Sequence, residues 1–387
     1  MPLSKLPLIF ALLTGFSIPI SSAITNVSLL LTLFSLLFTG ELQRDNLSQM
    51  WQHPLARSGL YLFLLMIIAS FYSDTDLSHA GGQLKKYLIF LYLPLFLLIF
   101  QDEKYQRWGL YAFLGAMGLT LFLSYLTAWG LFQYKGSIDN PFVFKQHIAQ
   151  NILMALSVYL FWFIGKKSGY LRYLTALLAL LALINVFMVQ GRSGYIILFA
   201  LLILFAYQLW RWQGLLLGVL VAGLLSISAY QFSDTLHHRI QETQAQLADY
   251  KNHKIDNSLA IRLQFQHYSM VLLQQHLWFG AGTGSFSQQY AQLANEKNLL
   301  PTDNPHNEYL LIANQLGLFG LSFLLFFFYQ MWRLRQKTQH YQHLASALTL
   351  TLVLGCGFNS MLLDFTESYA FIYLLGIVYA RLNQPKH

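Results

Sequence analysis

The stretch "YLTALLALLALINVFMVQGRSGYIILFALLILFAYQLW", residues 173–210, determines the class of fold. It holds two apolar runs separated by "GRSG", and each run is long enough to cross a hydrocarbon layer of about 30 Å as a helix. Backbone N–H and C=O groups in lipid must bond within their own segment, so such runs form helices. Similar runs recur along nearly the whole chain, and the sequence therefore predicts an all-α integral membrane protein.

Composition supports this class. Of 387 residues, 56% are hydrophobic and only 10% are charged, which is too little polar surface to cover a soluble globule. The net charge of +8 is spread between apolar runs, which indicates orientation in a membrane and excludes nucleic acid as the expected partner. The N-terminal apolar run is followed at once by another, which favours a helical hairpin over a cleaved signal peptide.

The apolar runs predict about twelve transmembrane helices within one polytopic domain, residues 1–387. They are placed at 4–22, 25–40, 58–73, 87–100, 108–129, 148–165, 173–190, 194–210, 214–231, 307–329, 343–361 and 369–381. An even number puts both termini on one side. Short segments on that side hold fourteen lysines and arginines, against five on the other side, which predicts cytoplasmic termini. The five exceptions are Lys85, Lys86, Lys135, Lys145 and Arg192.

One long hydrophilic segment, residues 231–305, separates the ninth and tenth predicted helices, and this topology makes it a periplasmic loop. Its first part, "SDTLHHRIQETQAQLADYKNHKID", is predicted to be a solvated helix or lid. Its second part begins with the N-cap candidates Asn257 and Ser258 and has helical spacing, which predicts a helix along the membrane surface. Further on, "FGAGTGSF" predicts a tight, flexible turn.

Directly after this loop comes "TDNPHNEYLLIANQLGLFG", residues 302–320. Asn304 and Pro305 predict an N-cap and a first helical position, so that His306 and Asn307 fall in the first turn, where unpaired N–H groups attract anions. The face below His306 carries small residues, among them Gly317, which predicts close approach of a neighbouring helix.

Other polar residues stand out against the apolar background. Arg192 lies near the predicted outer face, and an arginine placed there predicts an anionic partner, either a carboxylate of the protein or a ligand phosphate. Arg262 shares a polar stripe of the loop helix with Ser258. Asp364 and Glu367, near the outer end of a late helix, are candidates to pair with an arginine or to accept a proton. Histidines and carboxylates lack metal-ligand spacing, so neither a metal nor a cofactor is expected.

The segment "HNEYLLIANQLGLFG" resembles the signature of the O-antigen ligase and polymerase superfamily, and "GRSG", the Ser258 and Arg262 pair and "FGAGTGSF" are similar to its other blocks in the same order. The resemblance implies a metal-independent, inverting glycosyltransferase at the periplasmic face of a bacterial inner membrane. It also implies undecaprenyl pyrophosphate-linked glycan as donor and, for a ligase, lipid A-core as acceptor. The matching site residues are His306, Arg192 and Arg262, with Asn307, Ser258, Asp364 and Glu367 in substrate binding.

Alternatives remain at the level of sequence. A polymerase transfers the glycan to another lipid-linked repeat, and protein O-oligosaccharyltransferases share the signature while using a Ser or Thr hydroxyl. The clean match of the ordered blocks favours a ligase. His306 is either the base or a phosphate ligand with Asp364 or Glu367 as base. A secondary transporter or flippase is a different class, but the polar residues gather on one side and not at the midplane.

Overall fold

The computed structural model describes residues 3–40, 48, 50–165, 169, 171–232, 241–244, 246 and 257–382. Most of the predicted solvated helix or lid at 233–256 lies outside the described residues. The described residues form helices and no strand, which confirms the all-α class. The helices are α1 (Leu6–Ser17), α2 (Ser22–Phe38), α3 (Pro54–Ser70), α4 (Leu77–Lys86), α5 (Ile89–Ile99), α6 (Glu103–Ala128), α7 (His147–Gly165), α8 (Leu171–Met188), α9 (Arg192–Phe232), α10 (Ser258–Gln275), α11 (Ser285–Lys297), α12 (Glu308–Leu334), α13 (Gln342–Phe358) and α14 (Phe365–Val378).

Six described helical stretches are long and apolar enough to cross a membrane. They are Leu77–Ile99, Glu103–Ala128, His147–Gly165, Leu171–Met188, Arg192–Val221 and Glu308–Lys337. Five further apolar helices, α1, α2, α3, α13 and α14, are shorter than this. The count of twelve spans and the placement of the long loop in the periplasm stay predictions. Two polar helices, α4 and α11, were not predicted from sequence.

Helix α14 forms the centre of the bundle. Its residues from Thr366 to Val378 are buried all round, and it packs mainly against α5, with further contacts to α6, α7 and α13. Tyr373 is fully buried and donates a hydrogen bond from its hydroxyl to the carbonyl of Gly109, 3.2 Å away. A helix that is apolar on every face needs such a buried position. Its N-terminal turn is polar, so the bundle presents polar groups at one end of its core.

Helix α12 is broken at Gly317, which has φ 67° and ψ −169°, a conformation essentially restricted to glycine. The segment 277–284 docks against this break. Ala281 and Gly282 donate N–H bonds to the carbonyls of Asn314 and Gln315 at 3.0 and 2.9 Å. In return, the N–H groups of residues 318 and 319 bond to the carbonyls of residues 277 and 278 at 2.8 and 3.1 Å.

Close approach at Gly317 was predicted for a neighbouring helix, and at this position the approaching segment is a loop: a Cβ at Gly317 would lie 2.2 Å from the carbonyl carbon of Trp278. The "FGAGTGSF" segment turns sharply, as predicted, with positive φ at Gly280, Gly282 and Gly284. Helix α3 also contacts it: Thr283 donates its hydroxyl to the carbonyl of Met66 at 2.7 Å.

Candidate functional site

A cavity of about 630 Å³, the first cavity, lies where the polar ends of several helices meet. The turn before α2, the segment before α7, helix α10, the turn before α12 and the start of α14 all contribute to its walls. It brings together four of the seven residues predicted from sequence: Arg262, His306, Asp364 and Glu367. These residues come from three separate regions of the chain, so tertiary packing assembles the site.

His306 lies in a turn ahead of α12 and has a positive φ of 52°. Its backbone N–H donates to Oδ1 of Asn304 at 2.8 Å, and the same oxygen accepts the hydroxyl of Ser360 at 2.6 Å. The predicted cap at Asn304 was therefore wrong, because that side chain holds the turn and the helix begins at Glu308. Asn307 is the N-cap, and its Oδ1 accepts the N–H of Leu310 at 3.1 Å.

The start of α12 is bound to the segment between α13 and α14. Asn307 donates from Nδ2 to the carbonyl of Gly357 at 3.2 Å, so both ends of its amide are used and it does not line the first cavity. Glu308 is completely buried. Its Oε1 accepts the hydroxyl of Tyr87 at 2.5 Å, and its Oε2 accepts the N–H of Leu362 at 2.9 Å. These bonds fix the turn that carries His306 relative to the start of α14.

Asn359, which sequence analysis did not single out, bridges two candidate residues. Its Oδ1 lies 3.5 Å from Nδ1 of His306, and its side chain also hydrogen-bonds to Asp364. The ring of Phe265 stacks on that of His306, with centroids 6.4 Å apart and planes at 21°. Burial lowers the pKa of His306, and the charge of Arg262 lowers it further. Burial raises the pKa of Asp364 to about 6.

Helix α10 presents Arg262 to the first cavity. Asn257 caps the helix by accepting the N–H of Ala260 on Oδ1 at 2.9 Å, as its place in the sequence predicts. Ser258 is exposed and does not line the cavity, so the structure does not bring it together with the other candidates. Burial lowers the pKa of Arg262, and the like charge of Arg192 lowers it further.

Arg192 begins α9 and does not line the first cavity. Its Nη2 donates to Oε1 of Gln246 at 2.8 Å and lies 3.8 Å from Oε2 of Glu242. A carboxylate of the protein is thus an anionic partner of Arg192, one of the two kinds predicted. The positive charge of Arg192 nevertheless reaches the first cavity, because it lowers the pKa of Arg262.

Lys145 is the most buried cation of the first cavity, with 9% of its surface exposed. Its Nζ donates to the hydroxyl of Ser22 at 2.7 Å and lies 5.8 Å from the centre of the Phe365 ring. Burial lowers its pKa to about 8, while the negative charge of Glu367 opposes that shift. Lys135 lines the same cavity. In the sequence, these two lysines were distinguished only as exceptions to the charge bias of the short loops.

The described residues contain no group of three His, Cys, Asp or Glu side chains close enough to hold a metal ion. The first cavity instead offers two kinds of group: cations that suit an anionic ligand, and a histidine with two carboxyl groups that suit proton transfer. The fold and site together define a multi-pass membrane protein with a polar cavity that gathers cations, a histidine and carboxyl groups.

Residues 177–327 match the family model described as O-antigen ligase. This stretch runs from α8 into α12 and includes Arg192, Arg262 and His306. The resemblance to the O-antigen ligase and polymerase superfamily is therefore confirmed over this stretch, and the match supports a glycosyltransferase-type function in general terms. Among curated proteins, no match to the chain was found.

Proposed function

We propose that this protein is a glycosyltransferase of the O-antigen ligase type. It moves a glycan from undecaprenyl pyrophosphate to a sugar hydroxyl of lipid A-core, at the periplasmic face of a bacterial inner membrane. The observation that carries the proposal is the convergence of His306, Arg262, Lys145 and Asp364 on the first cavity. The family match over residues 177–327 supports it independently.

The reaction is a single displacement. The acceptor oxygen attacks the anomeric carbon, the bond from that carbon to the diphosphate oxygen breaks, and undecaprenyl pyrophosphate leaves with the bonding electrons. Attack from the side opposite the leaving group inverts the anomeric centre. Arg262 and Lys145 line the first cavity and provide positive charge for the diphosphate. Arg192 adds to this charge from outside the cavity, so the proposed step needs no added metal ion.

His306 is the proposed base. With Nδ1–H directed at Oδ1 of Asn359, Nε2 keeps a free lone pair for the proton of the acceptor hydroxyl. Its lowered pKa keeps the ring neutral near pH 7, which is the form that accepts a proton. Asp364, linked to His306 through Asn359, holds that tautomer. In the alternative assignment, His306 binds phosphate and Asp364 or Glu367 takes the proton.

The test compares binding of the lipid-linked donor with single-turnover transfer by purified protein. For His306→Ala, a base role predicts lost transfer with donor binding retained, whereas a phosphate-binding role predicts that both fall together. For Arg262→Lys we expect transfer to drop by on the order of 10²–10³, because an ammonium cannot replace the planar fork of a guanidinium. For Arg192→Lys we expect a smaller drop, because Arg192 does not line the first cavity and contributes through its charge. The exposed residues His276 and Arg107 provide matched controls, as His276→Ala and Arg107→Lys.

Wild-type transfer by all three site variants would refute the proposed site. Retained activity after treatment with a chelator would support the metal-independent step, and strict recovery on adding Mg²⁺ or Mn²⁺ would refute it. Transfer to a second lipid-linked repeat in place of lipid A-core would assign the polymerase reaction. If the protein instead moves the lipid-linked glycan across a bilayer without transfer, it is a transporter.

A further inference from the structure

A second cavity, of about 390 Å³, lies beside the turn that carries His306, because Asp303 of that turn lines it. One face of α4 contributes Ser78, Gln83 and Lys86 to its lining. The start of α11 supplies Phe286 as part of the apolar floor. The cavity has the size of a small-ligand site, and nothing in the proposed reaction has yet used it.

Its chemistry differs from that of the first cavity. Gln83 offers both a carbonyl oxygen and an amino group, Ser78 offers a hydroxyl, and Asp303 offers a carboxylate. The lining holds one lysine, Lys86, and one carboxylate, Asp303, so the side chains leave little net charge for a diphosphate. Mixed donors and acceptors over an apolar floor suit a neutral ligand with many hydroxyl groups, which is the chemistry of a sugar.

The two cavities are adjacent. Asp303 lines the second and His306 lines the first, three residues further on. The charge of Asp303 raises the pKa of both His306 and Asp364, and the charge of Lys86 lowers that of Asp364, so residues that line the second cavity influence groups of the first. A single displacement requires the acceptor hydroxyl to reach the base from the side opposite the departing diphosphate. The second cavity borders the turn that carries His306 and does not include Arg262 or Lys145, so an acceptor held there is close to the base and apart from these cations.

We propose that the second cavity binds the sugar that carries the acceptor hydroxyl, while the first cavity holds the diphosphate of the donor. This inference rests on the proposed transfer reaction and assigns its acceptor subsite to α4, the start of α11 and Asp303. Gln83, Ser78 and Asp303 position the acceptor sugar through hydrogen bonds, so that its hydroxyl faces His306.

Two neighbouring glycines of α4 allow a matched test. A Cβ built on Gly82, which lines the cavity, meets no atom within 4 Å, and the same is true of Gly81, which does not line it. The two positions are separated by about 100° around the helix. Gly82→Trp therefore places a large ring in the cavity, and Gly81→Trp places the same ring elsewhere. Both changes remove a glycine from a helix, so neither lowers its helix propensity.

The experiment measures three quantities for the wild type and both variants. These are KM for lipid A-core from an O-antigen-negative strain, KM for the lipid-linked glycan, and direct binding of the deacylated core oligosaccharide. We expect Gly82→Trp to raise the KM for lipid A-core at least tenfold and to weaken oligosaccharide binding to the same extent. Its KM for the donor should stay within twofold of wild type, and Gly81→Trp should behave as wild type throughout.

A wild-type KM for lipid A-core in Gly82→Trp would overturn the inference, and so would a selective loss of donor binding, which would make the cavity a donor-glycan site. A Gln83→Ala variant, which opens space and blocks nothing, should also weaken oligosaccharide binding. Unchanged binding by Gln83→Ala would mean that the amide does not contact the sugar. Absence of transfer by the wild-type protein would instead refute the proposed function, and oligosaccharide binding would still be measured separately.

Discussion

Replacing Gly317 by alanine tests how the helix break holds the site together. Gly317 lets α12 bend where the segment 277–284 inserts, and that segment joins α10, which carries Arg262, to α11, which borders the second cavity. An alanine at this position would be strained at φ 67° and ψ −169°, and its Cβ would lie 2.2 Å from the carbonyl carbon of Trp278, so the loop must also move away. The change therefore combines backbone strain with loss of the docking of the loop.

The structure sets the size of the effect. Holding a residue other than glycine in this conformation costs about 1–3 kcal/mol. The four backbone hydrogen bonds between the loop and the break contribute about 0.5–1.5 kcal/mol each, so losing them adds about 2–6 kcal/mol. We therefore expect Gly317→Ala to lower the free energy of unfolding by at least about 3 kcal/mol.

Gly118→Ala is the matched control, because Gly118 lies in α6 and a Cβ there meets no atom within 4 Å. Thermal unfolding midpoints in detergent should drop by several degrees for Gly317→Ala and stay near wild type for Gly118→Ala. Glycan transfer should fall with the Gly317 variant, because Arg262 and the loop share this support. Equal midpoints for both variants would show that the docked loop contributes nothing to stability, and the reasoning would be wrong.

Three further predictions concern charge and topology. Transfer should rise with pH through a value below 6.5 as His306 loses its proton, and fall above about 8 as Lys145 loses its own, which a pH–rate profile would show. Lys145→Met should raise the KM for the donor while Lys297→Met changes it little, because Lys297 is exposed and does not line the first cavity; equal effects would contradict this role for Lys145. Reporters fused within α11 should give a periplasmic signal and those fused after α12 a cytoplasmic one, and the reverse pattern would contradict the assigned topology.

The helices could be predicted because an apolar run in a membrane protein allows few other structures. The turn at Arg192 could be predicted because two apolar runs, each long enough to span a membrane, are separated there by only the four residues "GRSG". The polar break near Arg211 also appears, as non-helical backbone at residues 210 and 211 inside α9. These features depend on neighbours along the chain, and local rules suffice for them.

The site was harder to predict because contacts between residues far apart in the sequence determine its geometry. Asn304 followed by Pro305 has the local pattern of a helix start, yet a hydroxyl of residue 360 and the N–H of His306 share its side-chain oxygen. Asn359 is one polar residue at the end of an apolar run, and its role depends on contact with a turn 53 residues away. Lys145 gave a signal in the charge bias, but its partner Ser22 lies 123 residues away.

The charged side chains of the first cavity are arranged in a way that suits reversible binding of an anionic ligand. Among the residues that the structure describes, neither Arg262 nor Lys145 lies within 4.0 Å of a carboxylate oxygen of Asp364 or Glu367. Burial without a close ion pair disfavours the charged forms, and the pKa of Lys145 falls to about 8 while that of Asp364 rises to about 6. A close salt bridge to Asp364 or Glu367 would have neutralised the positive charge of Arg262 or Lys145. In the proposed reaction, Arg262 and Lys145 are therefore available to the diphosphate of the donor, and they return to the same state when undecaprenyl pyrophosphate leaves.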